Sequence, residues 1–171
     1  MAGSLPQQST LTQRLIPRQR LAAWSDQAQK PAAQLADQFR DLLDRRIGNA
    51  QLSGLNNIVQ SAPTFDEVEN FIKHQAERAE RAGRFEIKEY WNAIAQAIDG
   101  LKVEGLKFAN EAGLNIQPKA GKSKEAKLAL NHIYLTLTRE YVQHFVAHSI
   151  MLIRLSKKSD RRSDNAGSRS N

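Results

Sequence analysis

Cysteine is absent from all 171 residues of this chain. Its absence excludes disulfide staples, thiolate metal sites and cysteine nucleophiles, and fits a reducing compartment. Long apolar runs are missing as well. The most apolar stretch, Tyr141 to Leu155, is interrupted by Gln143, His144, His148 and Arg154, far short of the ~20 apolar residues that a bilayer-spanning helix needs. The first ten residues lack the apolar core of a secretion signal. A soluble, cytoplasmic protein with no membrane partner is therefore expected. No segment alternates with a period of two and no internal repeat is evident, which removes sheets and solenoids and leaves an all-α class. Hydrophobic residues make up 40% of the chain, enough for one core, so a wholly disordered chain is excluded too.

What is present is helical periodicity. The organising element runs from Ser123 to Leu155, where Leu130, Ile133, Tyr134, Leu137, Tyr141, Phe145 and Leu152 recur mostly at steps of three, four and seven without Pro or Gly. At about 1.5 Å per residue this is a rod of roughly 45–50 Å. Its second half is apolar nearly all round, so other helices or a second protein must cover it.

Upstream, Pro17 opens a short helix that is expected to end before Pro31, and Pro31 opens a second helix carrying Leu35, Phe39, Leu42 and Leu43, stopped at Gly48 and Asn49. A third follows over about residues 51–60. Thr64-Phe65-Asp66-Glu67 has the form of a capping box, and the helix it starts carries charges four apart, Glu69 with Lys73, Lys73 with Glu77, Glu77 with Arg81, and Glu80 with Arg84. That pattern reads as a self-paired, solvated face. From Phe85 to about Ala112 another long helix is expected, weakened at Gly100 and Gly105, with Tyr90, Trp91 and Phe108 as core residues rather than base-stacking platforms. The predicted architecture is a single-domain bundle of about five to six helices over 17–156. A flexible segment over 1–16 and a basic, disordered tail over 157–171 flank it.

The net charge of +7 is unevenly placed. Between 113 and 127 the chain has four lysines against one glutamate, and between 157 and 171 five basic residues against two aspartates, whereas 63–112 is slightly acidic. Segregated cationic charge on an otherwise neutral helical body suits a polyanion partner. Arg45, Arg46, Lys119, Lys122, Lys124 and Lys127 have no obvious partner within their own helices and are the candidate nucleic-acid contacts. RNA backbone is the expected ligand.

Catalytic constellations are few. Gly121-Lys122-Ser123 resembles the end of a phosphate-binding loop, but Ile116 stands where the first glycine belongs and no strand precedes it. Nucleotide hydrolysis is rejected. His144 and His148 lie four apart, but spacing suggests no third metal ligand, and neither metal nor cofactor is expected. Arg139-Glu140-Tyr141-Val142-Gln143-His144 resembles the arginine and histidine motif of the HEPN helical ribonucleases. That likeness implies RNA cleavage with Arg139 holding phosphate and His144 moving a proton, although the polar residue usual in that family after the arginine is here Glu140, an anion that would repel phosphate. The preferred reading is non-catalytic.

Three segments carry a second resemblance: Arg46-Ile47-Gly48-Asn49-Ala50-Gln51-Leu52, Asn70-Phe71-Ile72-Lys73-His74-Gln75-Ala76-Glu77-Arg78, and Leu137-Thr138-Arg139-Glu140-Tyr141-Val142-Gln143-His144. Together they resemble the small helical subunits of type III CRISPR effector complexes. The likeness implies a compact bundle present in several copies beside other subunits, touching guide or target RNA in antiviral defence without cutting it. Three function classes thus stand open: an RNA-binding assembly subunit, a HEPN-like ribonuclease, and a helical protein-binding scaffold whose positive charge serves solubility.

Overall fold

The computed structural model describes residues 16–114 and 123–167, with side chains described as far as residue 158. Among the described residues it is all-α, with no strand. Helix α1 spans Arg18–Gln38, α2 Gly48–Ser61, α3 Phe65–Arg81, α4 Phe85–Glu111 and α5 Lys124–Gly167. A short helical turn at Arg40–Leu42 and a π-helical turn at Leu43–Ile47 join α1 to α2.

The long last helix is the axis of the bundle. Its Ser123 cap holds, with Ser123 Oγ accepting from Ala126 N–H at 3.1 Å. One contiguous core joins α5 to every other long helix, with Ile133, Leu137, Val142 and Phe145 essentially sealed from solvent. Cross-helix contacts fix the directions. His148 meets Asp37 and His144 meets Ser25, so α1 runs parallel to α5. Asn131 meets Phe65 and Pro63 while Arg139 meets Val59, so the chain descends α2 antiparallel to α5. The apolar second half of α5 is therefore covered within the chain, chiefly by α1 and α2. Among the described residues, only Met151 and Leu155 are large exposed apolar side chains on that half.

Three element boundaries differ from expectation. Pro31 neither ends nor opens a helix; it sits inside continuous α1. Its ring removes one N–H bond to the carbonyl of Gln27, but both residues are exposed, so water takes that carbonyl. The break falls instead at Phe39, and the π turn beyond it places Leu43 and Ile47 together on the buried side. Helix α4 is unbroken through Gly100 and Gly105. At its C-terminal end α5 continues as backbone past Leu155 to Gly167.

The capping box at Thr64 is formed on its threonine side, where Thr64 Oγ1 accepts from Glu67 N–H at 3.3 Å. At the other end of α3, Gly83 takes φ +67°. That left-handed turn lets Arg84 N–H return to Ala79 carbonyl at 2.8 Å. Two carboxylates of the α3 charge ladder pair across to α4, Glu69 with Lys102 at 2.6 Å and Glu80 with Lys88 at 2.5 Å, while Glu77 meets His74 of its own helix at 3.3 Å. Lys73 and Arg81 have no ion-pair partner among the described residues. Tyr90, Trp91 and Phe108 are core residues, as the sequence predicts. Tyr90 and Trp91 pack edge-to-face on each other and on Phe39 and Phe71 respectively, and the Phe145 ring lies tilted against Tyr90.

Candidate nucleic-acid interface

The six cations expected to touch nucleic acid do not form one surface. Lys119 and Lys122 lie outside the described residues. Arg45 and Arg46 sit on the π turn, beside the far end of α5, where Ser156 Oγ donates to Asp44 at 2.6 Å. Lys124 and Lys127 stand at the opposite end of that helix. At 1.5 Å per residue the stretch of α5 between the two groups is roughly 45 Å long.

Their surroundings differ as well. Arg45 and Arg46 line an open cleft of about 760 Å³ together with Arg40, but Asp37, Asp41, Glu86 and Glu89 line it too. Carboxylates there match the arginines, and a polyanion would meet both signs. Neither Arg45 nor Arg46 has an ion-pair partner among the described residues, and helix packing sets Glu86 and Glu89, from the start of α4, in the same cleft.

Lys124 and Lys127 belong to a different cleft, of about 420 Å³, formed where the starts of α3 and α5 meet the second half of α4. Both are exposed and without an ion-pair partner among the described residues. Lys102 of α4 joins them from below. Its ammonium is pinned by Glu69 at 2.6 Å and Asp99 at 2.9 Å and stands 5.2 Å from the centre of the Phe65 ring. Burial lowers the pKa of Lys102, but those two carboxylates outweigh it and leave the pKa raised, so the group stays charged. Phe65 and Tyr134 supply the apolar wall, their rings 5.4 Å apart. Asn131 locks the corner, accepting from Phe65 N–H at 2.7 Å and donating to Pro63 carbonyl at 3.2 Å. Asp66 is the carboxylate among the cleft's lining residues.

Lys102, Phe65 and Tyr134 were not singled out as site residues by the sequence. A signal for one pairing existed. Helices α4 and α5 are consecutive and antiparallel, and Lys102 and Tyr134 are equally far along the sequence from Pro118, which stands between the two helices in the chain. The arrival of α3 at the same corner is a tertiary fact with no local trace.

Arg139 and His144 are also separated. Arg139, half-buried, donates from Nε to Val59 carbonyl at 3.1 Å and from its terminal nitrogen to Ala62 carbonyl at 3.4 Å, closing the C-terminal end of α2. Burial lowers its pKa. His144 faces α1, where its Nε2 lies 2.8 Å from Ser25 Oγ. Ser25 in turn donates to Glu140 Oε2 at 2.9 Å. A serine has one proton; with that proton on Glu140, the His144 Nε2 must donate to Ser25. The trio is thus an inter-helix clamp with the wrong proton order for a serine nucleophile, which needs the histidine to accept. His148 is similarly engaged, its Nε2 lying 3.3 Å from Asp37, and that contact, ahead of Arg40, lowers the Asp37 pKa. Among the described residues no three His, Asp or Glu side chains are grouped to hold a metal, and no helix is long and apolar enough to cross a membrane.

Comparison with protein-family models, with curated proteins and with solved structures returned no match to this chain.

Proposed function

We propose that this chain is a non-catalytic RNA-binding helical protein that grips the phosphate backbone at the corner where α3, α4 and α5 meet. The observation that carries this reading is the cleft in which Lys124 and Lys127, exposed and free of ion pairs among the described residues, face one aspartate, beside a Lys102 whose charge Glu69 and Asp99 already balance. Cations so placed attract a polyanion without regard to sequence, releasing one counterion for each phosphate neutralised. Lys119 and Lys122 precede α5 in the sequence and lie outside the described residues. Type III CRISPR effector complexes are the setting that the resemblance of the sequence suggests, as a small subunit touching guide or target RNA beside other subunits or its own copies.

Cleavage is the weaker reading, because Arg139 and His144 are both engaged in holding helices together. The test is retention of radiolabelled RNA by the full chain over a range of salt. Affinity should fall steeply with salt, and Lys124→Ala with Lys127→Ala should flatten the dependence by about 0.7 in log–log slope for each phosphate that is no longer neutralised. Equal retention by parent and variant would remove the assignment.

A further inference from the structure

The lysine cleft is a point of convergence rather than a stripe. A strand lying along a surface needs cations spaced to follow its phosphates, one negative charge at each. Here Lys102, Lys124 and Lys127 close on one concavity from two helices. Its apolar lining includes the buried Phe65, whose ring lies beneath the Lys102 ammonium, and the half-buried Tyr134. Such a volume, about 420 Å³, falls within the range of small-ligand pockets, and its composition of a few convergent charges on an aromatic wall is suited to one nucleotide.

We infer that this cleft takes the terminal phosphomonoester of a nucleotide. The inference rests on the RNA-binding reading and narrows it from backbone to strand end. A phosphomonoester carries about −1.5 to −2 charges at pH 7 and three acceptor oxygens, against one charge on each internal diester. Glu69 and Asp99 take up the charge of Lys102, which leaves Lys124 and Lys127 as two free ammonium groups, and two convergent cations match a dianion better than a monoanion. Lys102, held by Glu69 and Asp99, is the floor of the site; Lys124 and Lys127, exposed on the first turns of α5, are its unpaired cations among the described residues. Asp66 opposes the ligand and limits its affinity. The same group is found on a free nucleoside monophosphate and on a phosphorylated RNA end, and binding separates the two sources.

The experiment measures binding of the full chain to one short RNA in three forms, with a 5′-phosphate, with a 3′-phosphate and with neither, and to adenosine monophosphate alone. One phosphorylated form should bind about tenfold more tightly than the unphosphorylated RNA, a difference of about 1.4 kcal/mol. Lys124→Ala with Lys127→Ala should erase the difference, and Asp66→Asn should enlarge it, a gain that a merely destabilised variant does not mimic. Circular dichroism confirms that each variant is folded. Equal, lysine-dependent and salt-sensitive binding of all three RNAs would overturn the strand-end inference while leaving backbone binding intact. Lysine-dependent binding of adenosine monophosphate with no retention of any RNA would support the phosphomonoester site and overturn the RNA reading.

Discussion

Arg139 shows how a side chain that looks chemically poised can serve the fold. Its guanidinium reaches back to the carbonyls of Val59 and Ala62, the groups a helix end leaves without partners. Arg139→Met keeps the apolar stem but strands those carbonyls, so it should lower unfolding free energy by about 1–3 kcal/mol in denaturant titrations while RNA retention per folded molecule stays unchanged. A nearby histidine makes the complementary case. His132 Nε2 is buried with no hydrogen-bond partner among the described residues, and burial, then the neighbouring Arg139 charge, lowers its pKa from the usual 6.5. The unfolded chain therefore binds a proton there more readily than the folded one. Stability should fall as pH drops below about 6.5 and go on falling until the lowered folded pKa is passed. His132→Leu should flatten the slope of melting temperature between about pH 7.5 and 5.5, the window that brackets the unfolded pKa. A slope as steep in the variant as in the parent would show that another group is responsible.

At the scale of elements, helix types and most starts were legible because they depend on local signals: Thr64 and Ser123 as caps, Gly83 as a stop, and the three-and-four spacing of α5. Two junctions were not. Proline is a strong local breaker, yet Pro31 stands on the water-facing side of α1, where a missing bond matters least. The buried face of that helix consists of Trp24, Ser25, Ala28, Ala32 and Ala36. Small residues four apart let α1 lie close to α5, but a reading weighted to large apolar residues passes over them. Gly105 poses the same problem in α4. A side chain there would overlap the Tyr134 ring of α5, whereas Gly100 faces open space in the same helix. Gly100→Ala should thus stabilise by about 0.5–1 kcal/mol through helix propensity. Gly105→Ala should destabilise by about 1–3 kcal/mol as the packed ring is displaced, and Tyr134→Ala should relieve much of that loss. Thermal melts of the parent, both glycine variants and the double variant check both signs.

At the scale of the whole molecule, the distribution of charge along the chain and its distribution in space part company. Basic stretches were visible in the sequence, but which of them stands unopposed depends on the acidic residues that packing brings alongside. Lys124 and Lys127 were legible because they begin a helix after a lysine-rich loop. Lys102 was not, because it lies in an acidic stretch and reaches the cleft only through the α4–α5 hairpin. Arg45 and Arg46 are the converse, a basic pair visible in the sequence that packing places in one cleft with Glu86 and Glu89 from the start of α4. The two basic ends of α5 should accordingly behave as independent regions of unequal strength. Arg45→Ala with Arg46→Ala should change RNA affinity less than about twofold and leave the salt slope within about 0.3 of the parent, well below the ~0.7 per neutralised phosphate expected for single strands. A slope flattened by the arginine pair as much as by the lysine pair would mean that RNA runs the length of α5 and that the neighbouring carboxylates do not screen those arginines from it.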